Sequence, residues 1–313
     1  MLEIVRECYG FRVVCSVHPE AREAVDLFFG VAEPPASAPE VRLTFEVTDG
    51  AGVPTVDPPH TLEVIASDPI TIDTGNSRAV VEPDGWRATV TLARGDLDDQ
   101  VVWGRFILER LFLYLVCRSP RHYPLHAGAV GVDGQVALVS APTGTGKSTF
   151  SFWCLERGAD LAGEDIMVRH LDDEPGVVWG YPRAVYLDRA TIDRATVLDG
   201  ALISEIDEGR KSRVRLPDAL SDRLRPRARP EAAVFLVRDG STGTRPLGVT
   251  EAVELCRGDF ATGKTDQAVL AAVEADLRGL LAGLPVHEFS LSEDLDECFD
   301  GMRALLRAPQ AVR

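Results

Sequence analysis

Lysine is scarce in this chain of 313 residues, in which only Lys147, Lys211 and Lys264 occur among 33 basic residues. Arginine supplies the rest of the positive charge. The two cations differ in geometry and hydration, so a lysine is informative where arginine would have supplied the same charge. The scarcity therefore draws attention to Lys147 and Lys211 as candidates for a specific role.

A basic surface is also lacking, because the formal net charge is −16. General affinity for nucleic acid or for an anionic membrane depends on positive surface charge. We therefore expect neither nucleic acid nor membrane as a partner. The hydrophobic content of 45% and charged content of 26% are ordinary for a soluble globular protein.

Paired cysteine motifs, a secretory leader and a membrane-length apolar run are missing as well. The six cysteines form no C-x-x-C pair and have no histidine cluster near them, which disfavours disulfides and zinc sites. Residues 1–8 lack the layout of a signal peptide. The most apolar run, 106–116, is short and contains Glu109 and Arg110. A reducing, cytoplasmic location is the expectation.

The most informative segment present is an apolar stretch, 135–140, followed by a glycine-bearing loop and by Gly146-Lys147-Ser148 at the start of a predicted helix. Backbone N–H groups of such a loop, with the helix N-terminus behind them, bind nucleotide phosphates. Lys147 would reach the β- and γ-phosphates, and the Ser148 hydroxyl would bind Mg²⁺. The predicted nucleotide-binding residues are Ala141, Pro142, Thr143, Gly144, Thr145, Gly146, Lys147, Ser148 and Thr149.

Two further observations bear on whether this motif binds nucleotide. Ala141 replaces its first glycine, a change that is tolerable where the backbone does not need a positive φ. Residues 258–265 match the same pattern with that glycine intact, but the preceding segment 250–256 is polar and helix-like. A loop without a buried strand before it is not a nucleotide cradle, so we predict a connection between helices there.

The order of patterns predicts two domains. Residues 1–95 are expected to form a small α+β domain with strands at 11–15, 41–47 and 86–92, and a helix at 20–29. Residues 96–313 are expected to form the larger domain. It would begin with an amphipathic helix over 96–118, for which Asp96 is a candidate cap.

Further local signals surround the loop. Asp133-Gly134 joins two apolar runs, 126–132 and 135–140, which predicts a β-hairpin. The helix that starts at the loop should end near Gly158, because glycine favours a left-handed cap.

An acidic pair, Glu164-Asp165, ends the strand predicted at 159–162. Phosphoryl transfer uses one carboxylate to hold Mg²⁺ and another to accept the proton of an attacking hydroxyl. Glu164 and Asp165 are therefore predicted metal ligands together with Ser148, and predicted catalytic residues. A solvated strand end or a helix cap is the alternative explanation.

His126 and a basic cluster complete the candidate catalytic set. Strand pairing could bring His126, just before the hairpin, near the transferred phosphoryl group, although a lone histidine is often structural. Arg210 and Lys211 lie in the basic segment 208–213 of this acidic chain. They could neutralise phosphate charge or bind an acidic substrate, and an ordinary solvated loop is the alternative.

The order of these motifs resembles the catalytic core of HPr kinase/phosphorylase and of the broad HPr-kinase-like family, over roughly residues 120–240. That family shares its fold with phosphoenolpyruvate carboxykinases. The resemblance implies an α/β P-loop kinase core of this type, here with a smaller N-terminal α+β domain. It also implies roles for Lys147 and Ser148 at phosphate and metal, for Asp165 as metal ligand or base, and for His126 near the phosphoryl group. The segments that carry it are 126–128, 141–149, 156–158, 161–165, 180–187 and 210–217.

The chain also departs from the family. Its acidic pair is Glu-Asp where the family has two aspartates, and its loop begins with Ala141. The glycine-rich segment associated with phosphorolysis is not found, and residues 1–95 do not match the N-terminal domain of the bifunctional enzymes. Kinase activity is therefore more credible than phosphorylase activity.

The combined expectation is an ATP- and Mg²⁺-dependent kinase that acts on a serine hydroxyl of a protein or peptide. Some HPr-kinase-like proteins act on ribosomally made peptides, including lasso-peptide precursors, so a ribosomal peptide precursor is among the acceptors that the resemblance allows. A nucleotide-sensing regulatory protein and a small-molecule kinase are the alternatives. The sequence leaves a homo-oligomer open.

Overall fold

A computed structural model describes residues 1–29, 34, 38–58, 62–83, 85–207, 211–239 and 243–308. The fold is mixed α/β and contains several β-sheets. It divides into two units. The first comprises Met1–Pro120, Ser204–Ile206 and Thr262–Thr265, and the second comprises Arg121–Ile203, Asp207–Ala261 and Asp266–Arg313.

The first unit is built on a six-stranded sheet in which the strand order is β1-β2-β3-β6-β5-β4. Its strands are β1 (Leu2–Cys8), β2 (Phe11–Val17), β3 (Glu40–Thr48), β4 (Ile70–Asp73), β5 (Arg78–Val81) and β6 (Arg87–Ala93). Its helices are α1 (Arg22–Phe29), α2 (Leu62–Ala66) and α3 (Arg110–Arg118), the last preceded by a π-helical segment, Val101–Glu109. The predicted strands and the predicted helix at 20–29 are thereby confirmed.

The first unit extends beyond the predicted boundary at residue 95, because the helix over 101–118 belongs to it. Phe112 of α3 lies in an aromatic cluster with Phe11, Phe28 and Phe29, at ring-centroid distances of 6.0 to 6.5 Å. Burial of such large apolar side chains stabilises the unit in which they meet. The boundary therefore follows Pro120.

Asp96 does not cap this helix, which corrects the sequence-based expectation. The Asp99 carboxylate accepts hydrogen bonds from the backbone N–H groups of Val101 (2.9 Å) and Val102 (3.3 Å). Asp96 instead accepts a hydrogen bond from the Ser77 hydroxyl at 2.6 Å. The helix begins several residues later than predicted because a short turn over Arg94–Asp96 intervenes.

The second unit contains thirteen strands and six α-helices among its described residues, except that Ser204–Ile206, the middle of one strand, fall in the first unit. Its strands are β7 (His122–Leu125), β8 (Ala127–Val132), β9 (Gln135–Ser140), β10 (Asp160–Gly163), β11 (Met167–His170), β12 (Val178–Gly180), β13 (Ala184–Leu187), β14 (Leu202–Asp207), β15 (Lys211–Arg215), β16 (Arg227–Ala228), β17 (Ala232–Val237), β18 (Gly243–Pro246) and β19 (Val286–Ser290). Its helices are α4 (Lys147–Glu156), α5 (Arg189–Arg194), α6 (Val249–Leu255), α7 (Arg257–Phe260), α8 (Gln267–Ala282) and α9 (Leu295–Arg307).

These strands form three sheets, ordered β10-β8-β9-β17-β19-β18, β16-β12-β11-β7 and β13-β15-β14. In the six-stranded sheet, β17 is parallel to β9 and β19, while β8 is antiparallel to both β9 and β10. Strands β9, β10, β17 and β19 therefore run in one direction. Their carboxyl ends and the start of β8 share one edge, which is where open α/β sheets bind ligands.

The core lies on both faces of this sheet. Val234 and Leu236 of β17 pack in one apolar cluster, together with Phe150 of α4 and Met302 of α9. Phe235, between them, packs in a second cluster that contains residues of α6 and α8. The alternation follows from the two-residue period of a strand, which sends successive side chains to opposite faces. The sheet is thus a rigid support for the loops at its edge.

Two local predictions in this unit are confirmed. Asp133 and Gly134 have φ values of 53° and 83° and connect β8 to β9, with Val132 paired to Gln135. Positive φ values at both central residues are typical of a two-residue hairpin turn. Helix α4 ends before Gly158, whose φ of 92° is the left-handed conformation that glycine adopts without strain.

The second glycine-lysine motif is a connection between helices, as predicted, because α6 and α7 precede it and α8 follows it. Lys264 is 8% exposed, and its Nζ donates hydrogen bonds to the carbonyl oxygens of Val116 (2.9 Å) and Cys117 (2.6 Å). These carbonyls belong to the last turn of α3, where positive charge is favourable. Lys264 is therefore a structural residue of the first unit.

Among the residues that the structure describes, no helix combines the length and apolar character needed to cross a membrane.

Replacing Lys264 by methionine should destabilise the first unit by about 1.5–3 kcal/mol, because two charge-assisted hydrogen bonds are lost and two carbonyls lose their partner. Urea unfolding would measure the change. Arg78→Met is the matched control, since Arg78 is an exposed cation of the same unit and its replacement should leave the unfolding midpoint unchanged. Equal midpoints for the two variants would contradict the structural role of Lys264.

Candidate functional site

The predicted phosphate loop lies at the sheet edge described above. Strand β9 ends at Ser140, and α4 begins at Lys147. Gly144 and Gly146 have φ values of 87° and 110°, a region in which other residues are strained. Ala141 does not have a positive φ, so the replacement of the motif's first glycine does not strain the backbone. The strand, loop and helix context that the motif requires is present.

Lys147 connects this loop to the acidic pair. Its side chain is 5% exposed, and its Nζ donates to the backbone oxygens of Glu164 (3.0 Å) and Asp165 (3.3 Å). A third hydrogen bond, of 2.8 Å, joins the same Nζ to Asp165 Oδ1. A buried ammonium group is costly unless it is paired in this way. The start of α4 and the end of β10 are consequently held together.

Asp165 also contacts His126, whose Nε2 lies 3.1 Å from Asp165 Oδ1. Burial would raise the pKa of Asp165. The hydrogen bond from His126, together with the positive charge and hydrogen bond of Lys147, instead holds that pKa well below its ordinary value. Asp165 is therefore ionised at neutral pH, and the structure brings the three predicted residues Lys147, Asp165 and His126 together.

Glu164 is in a different environment. Its side chain is 2% exposed, and neither carboxylate oxygen makes a hydrogen bond of normal geometry in the described part of the chain, although the Ser148 hydroxyl lies near it. Burial, followed by the negative charge of Asp165, raises its pKa to about 7, although Lys147, Ser148 and Lys211 act in the opposite direction. An unpartnered buried carboxyl group is unfavourable on its own and well suited to a cation.

A close approach of two strands supports the turn that carries this pair. A Cβ atom on Gly180 of β12 would overlap the carbonyl oxygen of Ala162 in β10. A Cβ atom on Gly163 would lie 2.8 Å from the Met167 Sδ. At Gly180 the atom met is backbone, so only glycine permits this approach, whereas the flexible Met167 side chain could move away from a Cβ atom at Gly163. Gly180 therefore fixes how closely β12 approaches the strand end that leads into Glu164 and Asp165.

The predicted basic cluster is described in part. Lys211, the first residue of β15, is exposed, and its charge reaches Glu164 and lowers the pKa of that carboxyl group. Lys211 is therefore close enough to the acidic pair to act on it electrostatically. Arg210 lies outside the described residues, and its role remains a prediction.

Sequence reasoning missed Arg238, which directly follows β17. Its guanidinium would lie 3.4 Å from a Cβ atom placed on Gly146 of the loop. Arg238 is exposed and makes no ion pair or hydrogen bond within the described part of the chain. The sequence did contain a signal for Arg238, which directly follows the apolar run 232–237. If that run forms a strand parallel to β9, as it does, the residue after it lies at the same sheet edge as the loop.

Asp259 was missed as well. Its carboxylate accepts a hydrogen bond of 3.1 Å from the backbone N–H of His126. Burial raises its pKa, and the charge of Asp165 contributes in the same direction. No sequence signal links these residues, since Asp259 lies on α7 and the contact depends on how that helix packs.

Several of these side chains fit a divalent cation bound with a nucleotide. Within the described residues, no group of three histidine, cysteine, aspartate or glutamate side chains is arranged to hold a metal. Mg²⁺ does not require one, because it keeps several waters and takes one or two carboxylates together with substrate phosphates. Asp165, the Ser148 hydroxyl and the unpartnered oxygens of Glu164 provide suitable donors.

Comparisons with known proteins add little to this geometry. No family model matches the chain, and no curated protein matches it. Solved structures that resemble it include the HPr(Ser) kinase/phosphatase from Coxiella burnetii, at 13% sequence identity and a TM-score of 0.28, over 58% of this chain and 96% of that one. A likeness at this level identifies neither an activity nor a substrate.

The environment of Glu164 predicts a pH-dependent stability in the absence of divalent cations. Because the pKa of Glu164 is raised to about 7, the folded protein retains a proton that the unfolded chain loses from about pH 4.5 upwards. Stability should therefore fall as the pH rises from 4.5 to 7. Glu164→Gln, which cannot ionise, should be more stable than the unmodified protein by roughly 3 kcal/mol at pH 8.

At pH 5 the difference in stability should shrink to about 1 kcal/mol, because the folded protein and part of the unfolded chain are then both protonated at this group. Urea unfolding in the presence of a chelator would measure both values. Glu293→Gln is the control, because Glu293 is exposed and its replacement should change stability at neither pH. A Glu164→Gln effect of the same size at pH 5 and pH 8 would show that the carboxyl group does not titrate in this range.

Proposed function

We propose that this protein is an ATP- and Mg²⁺-dependent kinase that transfers the γ-phosphoryl group to a serine hydroxyl of a protein or peptide. One observation carries the proposal. The lysine of a strand–loop–helix motif, Lys147, lies 2.8 Å from the carboxylate of Asp165, at the carboxyl edge of the sheet. A phosphate-binding cation and an ionised carboxylate at one edge are the elements that phosphoryl transfer needs.

In the proposed reaction, the backbone N–H groups of the loop and Lys147 bind the β- and γ-phosphates. Mg²⁺, when bound, neutralises phosphate charge, and Ser148, Glu164 and Asp165 would hold it. Glu164 must lose its proton to serve as a ligand. Because its pKa is about 7, that loss costs little at neutral pH.

Asp165 is better placed than Glu164 to meet the acceptor, because 43% of its side chain is exposed. Its low pKa makes it a weak base but a good hydrogen-bond acceptor for the serine hydroxyl. As the serine oxygen bonds to the γ-phosphorus, the bond to the β,γ-bridging oxygen breaks, ADP departs and the serine proton passes to Asp165. In a loose transition state that proton leaves late, so orienting the hydroxyl is the main contribution of Asp165.

Positive charge around the loop would stabilise the transition state. Lys147 on α4 and the exposed Arg238 after β17 lie at the loop, and the charge of Lys211 on β15 reaches Glu164 beside it. Arginine can bind two phosphate oxygens at once, and Arg238 has no acidic partner to give up in the described part of the chain. This combination supports transfer chemistry rather than binding alone.

A nucleotide sensor is the second candidate function, favoured by the bonds that Lys147 makes to the acidic pair. A nucleotide that drew Lys147 towards its phosphates would break these bonds and release the turn at Glu164 and Asp165. Such a release could signal to a partner without phosphoryl transfer. The presence or absence of a phosphorylated product separates the two functions.

Lys147→Ala should abolish phosphoryl transfer, because the loop loses the cation that binds the β- and γ-phosphates. Mass spectrometry after incubation with Mg-ATP and serine-containing peptides or small carrier proteins would detect the added phosphate on the acceptor. Arg303→Ala is the control, since Arg303 pairs with Asp133 at the hairpin turn, at the opposite edge of the sheet. That variant should retain full activity.

Transfer by Lys147→Ala at the unmodified rate would contradict the assignment of the loop. ATP binding without transfer to any acceptor class would favour the sensor. A phosphorylated metabolite in place of a peptide would identify a small-molecule kinase.

Arg238→Ala should lower kcat by about 10²–10³-fold, the usual effect of removing one donor to the charge that develops in a transition state. Arg238→Lys should restore only part of the rate, because an ammonium group cannot bind two phosphate oxygens in the same geometry. Steady-state kinetics with a fixed acceptor would measure both variants. An unchanged kcat for Arg238→Ala would exclude Arg238 from the reaction.

A further inference from the structure

A cleft of about 390 Å³ opens beside the first turns of α4 in the second unit. It is formed by α4, by α5 and by the segment that follows β19. The residues that line it are Thr149, Trp153, Thr191, Arg194, Glu293, Asp294, Leu295 and Asp296. We propose that this cleft binds the nucleoside part of the phosphate donor, its base and ribose. The inference rests on the proposed function and extends it.

The cleft adjoins the predicted phosphate loop. Thr149 belongs both to the predicted phosphate loop and to the lining of the cleft, and it lies two residues after Lys147. Trp153 lies one turn further along the same helix, about 6 Å away. A nucleotide whose terminal phosphates contact Lys147 therefore has the cleft open beside it, along the first turns of α4.

Charge fixes the orientation of such a ligand. Three carboxylates, those of Glu293, Asp294 and Asp296, line the cleft against a single cation among the described residues, Arg194, so its lining is acidic overall. They would repel a phosphate chain and accept hydrogen bonds from ribose hydroxyls and from an exocyclic amino group. Phosphates are consequently favoured on the loop, and the uncharged end of the nucleotide is favoured in the cleft.

The three carboxylates differ in the hydrogen bonds that they already accept within the protein. Asp294 caps α9 through its side chain, and Asp296 accepts from the indole of Trp153 at 3.1 Å and from Arg157. Glu293 is exposed and makes no hydrogen bond or ion pair in the described part of the chain. Glu293 is therefore the acceptor that remains available to a nucleoside.

Trp153 supplies a flat apolar surface whose orientation is already determined. Its indole N–H is held by Asp296, and the Arg157 guanidinium lies 4.5 Å from the ring centroid. An aromatic side chain held in place loses little conformational freedom when a base packs against it. The lining thus combines an aromatic surface with hydrogen-bond acceptors, as nucleoside recognition requires.

Calorimetric titration with ATP and with inorganic tripolyphosphate, each with Mg²⁺, would separate the cleft from the loop. The full-length protein should bind ATP at least about tenfold more tightly than tripolyphosphate, which corresponds to about 1.4 kcal/mol. Thr191→Trp would fill the cleft from α5. It should lower the affinity for ATP to that for tripolyphosphate and leave tripolyphosphate binding unchanged.

Asp193→Trp is the matched control. Thr191 and Arg194, three residues apart, face the cleft, whereas Asp193 pairs with Arg189 at the surface of the same helix. This control should keep the preference for ATP. Glu293→Ala, an exposed change that should not affect folding, should weaken ATP binding about three- to tenfold and leave tripolyphosphate binding unchanged.

Equal affinities for ATP and tripolyphosphate in the unmodified protein would overturn the cleft assignment and leave the phosphate loop intact. Full ATP affinity in both Thr191→Trp and Glu293→Ala would overturn it as well. If Thr191→Trp weakens the binding of both ligands, the tryptophan has disturbed the phosphate loop, and Glu293→Ala then tests the cleft. Weaker binding of ATP alone by Glu293→Ala would support the nucleoside site, and unchanged ATP binding would overturn it. No binding of either ligand would overturn the proposed function itself, and the cleft assignment with it.

Discussion

The ion pair between Lys147 and Asp165 is the interaction on which the candidate site depends. It joins the first residue of α4, which follows β9, to the turn after β10, and β8 lies between these two strands in the sheet. Lys147 is 5% exposed, and removal of the Asp165 carboxylate would leave its buried ammonium group with only two backbone carbonyl acceptors. The same carboxylate orients His126, so one contact organises residues from three segments of the chain.

The adjacent carboxyl groups of Glu164 and Asp165 have opposite pKa shifts. Burial raises the pKa of the first, and hydrogen bonds lower the pKa of the second, which is only partly buried. Two neighbouring carboxyl groups with opposite shifts can take different roles, one held ionised and the other ready to exchange a proton for a cation. The unpartnered oxygens of Glu164 destabilise the ligand-free protein, a cost that functional sites often carry.

The two segments that resemble a phosphate loop, 141–148 and 258–265, differ in role because their structural contexts differ. Lys147 follows a buried strand, and its charge meets carboxylate and carbonyl oxygens at the sheet edge. Lys264 follows two helices and caps the end of α3. The distinction was predictable from the hydrophobic pattern before each motif. The helix over 101–118 was harder to assign to one of the two units. An amphipathic pattern shows that one face of a helix is buried, but it does not show which neighbour covers that face.

The sequence alone determined the strand–loop–helix at 135–156, the hairpin at Asp133-Gly134 and the acidic strand end, because each depends on local periodicity and turn chemistry. Only the tertiary structure decided the contact of Asp259 with His126, the approach of Arg238 to Gly146 and the cleft beside Trp153. These join residues far apart in the chain, through sheet order and helix packing. No local pattern encodes such distances, since they arise when separate apolar faces are buried against one sheet.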